Sequence, residues 1–410
     1  MQDFSYFCTM AGIYVHIPFC NSKCGYCGFY SVPSLKQKER FLEALKAEIV
    51  GRKEYLSAGD CGSSPAMRPA LKDNPLTPNI HTIYFGGGTP SLLSVNEIGD
   101  ILHLINTHYL VADNAEITLE ANPDTLSPEY LIGLRQLGIN RLSIGIQSFF
   151  DNDLKYLSRK HDSNHARQCI AWAKQASFSN ISIDLIYGLP SSNAEQWNRN
   201  LDLFFEMGLP HLSAYALTLE PNAILTKQIE QGKALPVNDE DALRDYDILC
   251  HRAKENGFLH YEISNFCKMG MHSKHNASYW FGTPYAGFGP SAHSFDGRSR
   301  QWNVANIEQY CNALRHCEER SNPDNTLQEK EQLSPEQHYN EYVMLRLRTH
   351  WGIDLKWLKR EMGERFSTYC EQHAQPLIAQ GRLSQTREFL YLNDQQMLFA
   401  DGVTEELFWE

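Results

Sequence analysis

Short runs of apolar and β-branched residues alternate along the chain with longer stretches in which apolar residues recur every three or four positions. The short runs predict six strands, at 13–17, 82–88, 116–122, 141–148, 181–188 and 211–218. The longer stretches predict six helices, at 39–50, 95–109, 128–137, 151–160, 165–176 and 193–207. Because strand and helix alternate, we expect an α/β fold whose parallel sheet curls into an open or closed βα barrel.

The alternation is interrupted within the first half and fades after residue 220, which suggests a division into parts. Residues 1–220 are predicted to form the barrel, with a Gly-, Ser- and Pro-rich surface insertion near 57–79. Residues 221–316, which contain the HNASYW segment, are predicted as a structured connector, and the polar run 317–336 as a linker. Residues 337–410 are predicted as a small, mainly helical domain ending in a hairpin, with REFLYL and QMLFA as its strands.

Composition places the chain among ordinary globular proteins. Its 410 residues are 42% hydrophobic and 21% charged, which excludes a disordered or fibrous chain. The 37 basic and 49 acidic residues give a net charge of −12, which argues against binding to nucleic acid or to an anionic membrane surface. No run approaches the ~20 apolar residues of a membrane span. Since no signal peptide is recognisable either, we expect a cytoplasmic protein that is not integral to a membrane.

The cysteines give the sharpest chemical signal. Eleven cysteines at irregular spacing suggest reduced thiols rather than a disulfide framework. Three of them, Cys20, Cys24 and Cys27, form a CxxxCxxC group directly after the first predicted strand. Three thiolates can hold three irons of a [4Fe–4S] cluster and leave the fourth iron open to another ligand. Zinc is the alternative, but structural zinc needs four ligands and no fourth lies at a fitting spacing.

Further polar and glycine positions lie at or near strand ends. The segment GGGTP at 86–90 lets the backbone approach a ligand and offers the Thr89 hydroxyl, although a tight turn would explain it equally well. Glu120, Gln147 and Asp184 are polar positions in otherwise apolar strands. Parallel βα sheets bind ligands at the carboxyl ends of their strands, so these side chains could share one bound molecule. The alternative is that each satisfies neighbouring backbone groups.

Taken together, five ordered motifs resemble those of radical S-adenosylmethionine (SAM) proteins. IYVHIPFCNSKCGYCGFYS, YFGGGTP, LEANPD, RLSIGIQSF and IDLIYGLP are similar, more narrowly, to the oxygen-independent coproporphyrinogen III oxidase group, over about 13–300. The resemblance implies a partial (β/α)6 TIM-like barrel. It also implies that Cys20, Cys24 and Cys27 bind a [4Fe–4S] cluster, whose open iron takes the amino and carboxylate groups of SAM.

The same resemblance implies roles for single residues. It places Tyr14 and Tyr26 beside the cofactor, and Thr218 near the adenosyl group. The remaining positions that it implies as SAM contacts are Gly87, Gly88, Thr89, Glu120, Gln147, Arg159 and Asp184. In the chemistry that it implies, an electron from an external reductant passes through the cluster into the sulfonium. A carbon–sulfur bond then breaks, which gives methionine and a 5′-deoxyadenosyl radical.

Two departures separate the chain from the oxidases of this group and favour the HemW-type haem-chaperone branch. The oxidases resemble CxxxCxxCxC, whereas Phe29 stands at the position of the additional cysteine. They also carry a longer segment before the first strand. His275 lies in HNASYW, which is similar to a segment that the family associates with haem, and could supply an axial ligand to haem iron, although Ala277 departs from many members. A packed histidine is the alternative.

The sequence thus predicts a radical SAM protein that binds haem and transfers it to haemoproteins such as respiratory enzymes. The alternative is an oxygen-independent coproporphyrinogen III oxidase of porphyrin biosynthesis. A third hypothesis is a zinc- or cluster-stabilised protein without SAM chemistry. Whether the chain turns over a substrate, and whether it forms a homodimer, is left open by the sequence.

Overall fold

A computed structural model describes residues 10–56, 78–221, 223–315 and 328–410, so the predicted insertion at 57–79 lies almost wholly outside the described residues. Six parallel strands form the centre of the molecule, and each matches a predicted one. They are β1 Met10–Ile17, β2 Asn79–Gly87, β3 Val111–Ala121, β4 Arg141–Gln147, β5 Asn180–Tyr187 and β6 His211–Ala216.

Helices follow these strands and cover the outer face of the sheet. They are α1 Lys38–Gly51, α2 Val95–His108, α3 Pro128–Gln136, α4 Asp151–Tyr156, α5 Ser163–Gln175 and α6 Ala194–Glu206. Local capping fixes where several of them begin. At the start of α2, the Ser94 hydroxyl accepts a hydrogen bond from the Glu97 amide, and the Glu97 carboxylate accepts one from the Ser94 amide. Helix α4 ends earlier than the sequence predicts, so Arg159 lies in the loop that follows it.

The strands separate apolar from polar side chains. In β4, Leu142, Ile144 and Ile146 belong to the main hydrophobic core. Since successive side chains of a strand point to opposite faces, Arg141 and Ser143 point to the other face, inside the barrel. The other central strands repeat the pattern. The barrel therefore has an apolar outer layer under the helices and a polar interior.

The segment after β6 extends the sheet at both edges. Its elements are α7 Ile224–Glu230, α8 Asp239–Glu255, β7 Leu259–Glu262, β8 Asn265–Cys267, α9 Lys274–Trp280, β9 Tyr285–Phe288, β10 His293–Phe295, β11 Ser299–Asn303, α10 Ile307–Arg315 and β12 Gln328–Gln332. The twelve strands run in the order β12-β11-β10-β9-β1-β2-β3-β4-β5-β6-β8-β7. Because the edge strands β12 and β7 do not pair, the sheet stays open, which confirms the partial barrel.

The polar run predicted as a linker is part strand. Residues 328–332 pair with β11 as an edge of the main sheet, while 316–327 lie outside the described residues. An edge strand tolerates the charged sequence QEKEQ because one of its sides faces solvent. The domain boundaries given by the sequence stay predictions.

The chain ends in a second, smaller core. It contains α11 Pro335–Leu347, β13 Ile353–Asp354, α12 Leu355–Met362, α13 Glu364–Ala379, β14 Ser384–Gln385, β15 Phe389–Tyr391 and α14 Ala400–Glu405. This confirms a small, mainly helical C-terminal unit, but its hairpin is formed by β14 and β15, and the unit continues into α14 instead of ending in the predicted hairpin. The prediction of a strand at QMLFA is wrong: Met397–Phe399 is a 3-10 helix that leads into α14. Within the described residues, no helix is both long and apolar enough to cross a membrane.

Candidate functional site

The cysteine loop follows β1 at the carboxyl end of the sheet. Cys20, Cys24 and Cys27 are free thiols with partly accessible side chains. The Thr89 hydroxyl lies 3.5 Å from the Cys20 sulfur, and a guanidinium nitrogen of Arg159 lies 3.3 Å from the Cys24 sulfur. The structure therefore brings predicted site residues from three separate segments into contact.

The donor set fits an iron–sulfur cluster better than a single metal ion. Burial raises the pKa of the Cys27 thiol, and the neighbouring Cys24 and Cys20 raise it further, because nearby thiolates repel one another. Among the described residues, no three His, Cys, Asp or Glu side chains converge closely enough to hold one ion. Each thiolate of a [4Fe–4S] cluster binds a different iron, so its sulfurs lie farther apart than those around one zinc ion.

The glycine loop after β2 packs directly on the cysteine loop. A Cβ atom on Gly88 would lie 2.5 Å from the Phe19 carbonyl oxygen. Gly87 has a φ of 108°, which favours glycine. The Gly88 amide donates to the Ile17 carbonyl at 2.8 Å. The glycines are thus required for the two loops to touch, and this contact places the Thr89 hydroxyl beside Cys20.

Asn122 connects the loops and was not singled out by the sequence analysis. Its side-chain nitrogen donates to the Thr89 hydroxyl at 3.1 Å, and its side-chain oxygen accepts from Arg159 at 2.7 Å. Arg159 also donates to the Gly145 carbonyl at 2.7 Å. The signal was present in the motif LEANPD, where an asparagine directly follows a strand that ends in Glu120 and Ala121.

Two carboxyl groups face the barrel interior below these loops. Burial raises the pKa of Glu120 to about 7, although a hydrogen bond of 2.7 Å from the Tyr84 hydroxyl lowers it. Burial likewise raises the pKa of Asp184 to about 6. Both side chains keep some accessible surface although protein surrounds them. Carboxyls in this state can bind a cationic or hydroxyl-bearing ligand.

The other predicted SAM contacts are spread over separate parts of the barrel. Gln147 ends β4 with a φ of 67°, a strained backbone conformation for a residue other than glycine. Tyr26 packs beside a small apolar cluster near Arg159, whose charge lowers the pKa of the phenol against the larger effect of burial. Tyr14 lies deeper in the barrel, where its hydroxyl is 3.1 Å from His16 Nδ1. Thr218 is exposed and hydrogen-bonds to the Ala216 carbonyl at 3.4 Å.

His275 lies inside the barrel, away from the cysteine loop. Its Nδ1 is 2.8 Å from the Thr82 hydroxyl, and its Nε2 is 2.8 Å from the Tyr279 hydroxyl. The ring stacks on Tyr84 at 4.9 Å, and burial lowers its pKa to about 3. The imidazole is therefore neutral, and binding to iron would require one of its two hydrogen bonds to break. The predicted role of His275 as a haem ligand stays a prediction.

A cavity of about 520 Å³ fills the opening between the two edges of the sheet. One wall is a row of paired residues on β9, β10 and β11, and the other a row on β6, β8 and β7. Helices α9 and α11 line two further sides of the cavity. Its lining residues are Tyr215, Glu262, Ile263, Ser264, Asn265, Asn276, Tyr279, Trp280, Gly282, Thr283, Tyr285, Phe295, Arg300, Glu341 and Leu345.

The cavity reaches toward the carboxyl groups of the barrel. The Tyr215 side chain is 43% exposed, but surrounding protein raises the pKa of its phenol, and Asp184, Glu262 and Glu120 lie near enough to raise it further. Burial also raises the pKa of Glu262 to about 7. Tyr215 therefore lies between the cavity and the end of the barrel that holds the predicted SAM contacts.

Sequence comparisons identify the relatives of this arrangement. A family model of the Radical SAM superfamily matches residues 70–204, a range that begins after the cysteine loop, and one of the HemN C-terminal domain matches residues 333–399. The chain is 32% identical to the haem chaperone HemW of Mycobacterium tuberculosis, over 97% of this chain and 94% of the relative. The chain belongs to the HemW family of radical SAM proteins. The haem chaperone HemW of Bacillus subtilis is 30% identical, over 96% of this chain and 98% of the relative.

Solved structures agree with the fold. The coproporphyrinogen III oxidase HemN of Escherichia coli superposes with a TM-score of 0.79 over 100% of this chain and 94% of that chain. At 20% identity this likeness shows the fold alone. Membership of the radical SAM superfamily implies a [4Fe–4S] cluster and SAM as cofactors. The residues to which the sequence assigned these cofactors include Cys20, Cys24, Thr89 and Arg159, which lie in contact, and their assignment stays a prediction.

Proposed function

We propose that this protein binds haem in the cavity at the barrel opening and transfers it to acceptor haemoproteins. The observation that carries the proposal is the full-length similarity to haem chaperones of the HemW family. The cavity supports it. Its volume of about 520 Å³ lies within the ~300 to 1,000 Å³ typical of ligand sites. Tyr279, Trp280, Tyr285 and Phe295 offer aromatic faces to a flat macrocycle.

We infer that the cofactors bind at the carboxyl ends of the strands. Cys20, Cys24 and Cys27 would bind the cluster. The residues that would hold SAM are Tyr14, Tyr26, Gly87, Gly88, Thr89, Glu120, Gln147, Arg159, Asp184 and Thr218. When bound, the cluster and SAM supply one-electron reductive chemistry, which needs an external reductant. The chain's own contribution is to orient them: Arg159 and Asn122 tie the cysteine loop to the glycine loop through three hydrogen bonds, and a fourth holds Arg159 to the Gly145 carbonyl of β4.

The test is a pair of measurements on one anaerobically reconstituted sample of the full chain. Haemin is titrated while the Soret band is followed, and coproporphyrinogen III turnover is assayed in parallel as carbon dioxide release. We expect saturable haemin binding and no turnover. Turnover to vinyl products would establish the alternative, an oxygen-independent coproporphyrinogen III oxidase. Absence of saturable haemin binding would remove the proposal.

The role of His275 has a separate test. If its imidazole binds haem iron, His275→Gln should change the spectrum of the bound ferric haem and weaken haemin binding. Tyr279→Phe removes the hydroxyl that holds Nε2, so it should free that nitrogen and leave the iron ligation intact. An unchanged haem spectrum in His275→Gln, together with a lowered melting temperature, would assign the histidine to packing.

A further inference from the structure

One cation lies in the wall of the cavity. Phe295 pairs with Tyr285 on one side and with Arg300 on the other, so the three side chains lie in a row across β9, β10 and β11. Among the described residues that line the cavity, Arg300 is the only arginine or lysine. Its guanidinium carbon lies 5.6 Å from the centre of the Phe295 ring. The wall thus combines aromatic faces with one charged end.

Arg300 is paired with a glutamate of the C-terminal unit. Its guanidinium forms an ion pair with Glu341 on α11, and the two side chains are 37% and 15% exposed. The Nε atom of Arg300 is buried and makes no hydrogen bond with any described residue. A guanidinium has five N–H donors in a planar fork that matches a carboxylate with two parallel hydrogen bonds. Glu341 therefore leaves one N–H donor of Arg300 without a partner among the described residues.

The ion pair also joins two parts of the molecule. Glu341 reaches the β11 side of the opening from α11, while Thr349, just after α11, bridges Glu262 on the β7 side. The C-terminal unit thus contacts strands on both sides of the opening, β11 and β7. A ligand that replaced Glu341 on Arg300 would release one of these two contacts.

We propose that Arg300 binds the anionic edge of the ligand and that Glu341 occupies this place until the ligand carboxylate displaces it. The inference rests on the proposed function, since it names the group that recognises the porphyrin carboxylates. The ligand class is a planar macrocycle that carries free carboxylates on one edge. Its flat body lies against the aromatic side chains, and its carboxylates lie at Arg300. No covalent step is involved: one carboxylate replaces another on the same guanidinium.

The test compares haemin with haemin dimethyl ester, which has the same macrocycle but no ionisable carboxylates. Both are titrated into the anaerobically reconstituted full chain. We expect the wild-type protein to bind haemin about tenfold more tightly than the ester, because a bidentate ligand carboxylate would replace the Glu341 contact and add one charge-assisted hydrogen bond, to the Nε atom that Glu341 leaves unpaired. This measurement needs no substitution, so it does not depend on a variant's ability to fold.

Variants of Arg300 and Glu341 test whether these residues cause the preference for haemin over the ester. Arg300→Met should reduce haemin affinity until it equals that for the ester, and Arg300→Lys should keep part of the difference. Glu341→Gln should bind haemin several-fold more tightly, since the competing carboxylate is gone. Arg298→Met is the matched control, because Arg298 is an exposed cation of the same hairpin outside the cavity lining. It should leave both affinities unchanged.

The outcomes separate this inference from the proposed function. Equal affinity of wild-type protein for haemin and ester, or haemin binding in Arg300→Met that matches wild type, overturns the inference while haem binding stands. Weaker haemin binding in Glu341→Gln overturns the displacement by Glu341. Failure of the wild-type protein to bind either compound removes the proposed function itself.

Discussion

The cysteine end of the barrel and the cavity at its opening are built in contrasting ways. At the cysteine end, Cys24, Thr89, Asn122 and Arg159 are joined by direct hydrogen bonds between loops that follow neighbouring strands. The cavity has aromatic walls, a single ion pair and a C-terminal helix across it. The first is a connected polar network, and the second is bounded in part by an ion pair that another carboxylate could replace.

This difference indicates what each region can do. A network with fixed donors suits a resident cofactor, because the site is preorganised before the ligand arrives. A space with aromatic walls, bounded in part by an ion pair that another carboxylate can replace, suits a ligand that must enter and leave, as a transferred molecule does. The two sites should therefore respond separately to mutation and to pH, and the following experiments examine that separation.

The largest expected effect is loss of the cluster without loss of the cavity. Cys24→Ala removes a thiolate and the sulfur that accepts a hydrogen bond from Arg159. We expect iron to fall from about four atoms per chain to near zero. Haemin affinity should stay within about twofold, because no described cavity-lining residue is a cysteine. Iron analysis and Soret titration of the same preparation measure both.

The matched control is Cys250→Ala, which removes a thiol from helix α8 in the core, away from the cysteine loop. It should keep its iron. A Cys24→Ala protein that lost haem and iron together would show that the cavity depends on the cluster, and the two regions would then act as one.

A smaller effect is expected from Arg159. Arg159→Met removes the hydrogen bonds to the Cys24 sulfur, the Asn122 side chain and the Gly145 carbonyl. We expect SAM affinity to fall by roughly 10- to 100-fold, the loss expected for charge-assisted hydrogen bonds, while the iron content changes little. The readout is the shift that SAM produces in the electron paramagnetic resonance signal of the reduced cluster. Arg159→Lys should restore part of the affinity, and an unchanged affinity in Arg159→Met would make the residue structural only.

Opposite pH responses would sharpen the contrast further. Raised pKa values of about 7 for Glu120 and about 6 for Asp184 mean that both carboxyls are mostly protonated at pH 5 and ionised at pH 8. SAM is cationic, so its affinity should rise by about tenfold over that range. Glu262 in the cavity ionises near pH 7 and repels porphyrin carboxylates, so haemin affinity should fall over the same range.

Two substitutions test which carboxyl group causes each pH dependence. Glu120→Gln should reduce the slope of the SAM profile and leave the part due to Asp184, since the glutamine side chain carries no charge at any pH. Glu262→Gln should flatten the haemin profile and leave the SAM profile unchanged. Parallel slopes for both ligands in the wild-type protein would contradict separate electrostatic control of the two regions.

The two regions also differ in how far the sequence predicts them. The cysteine loop and the glycine loop each lie within a few consecutive residues, so their motifs are readable directly. The cavity is assembled from β6 to β11, α9 and α11, whose residues lie from Tyr215 to Leu345 along the chain. Only pairing across the sheet brings Tyr285, Phe295 and Arg300 together, and no local pattern encodes that pairing.

The wrong strand at QMLFA has a similar cause. The segment is mostly apolar and could form a strand. The pattern of buried residues extends beyond it, however, because Met397, Ala400, Val403 and Leu407 are buried and are spaced by three or four residues. That spacing is helical, and it appears only when the following turn is included. Polar β12 was missed for the opposite reason, since an edge strand needs no apolar face to pair.

The smallest expected effect concerns Thr218, whose role as an adenosyl neighbour comes from family resemblance alone. Its hydroxyl is exposed and bonds only weakly to the Ala216 carbonyl, so Thr218→Val leaves no buried group unpaired. If the hydroxyl donates one neutral hydrogen bond to SAM, its loss should weaken SAM binding by about two- to tenfold and leave haemin affinity unchanged. Thr226→Val, on the adjacent helix α7, is the control for removal of an exposed hydroxyl in this part of the chain. Equal SAM affinities for the two variants would confine the cofactor site to the ends of β1 to β5.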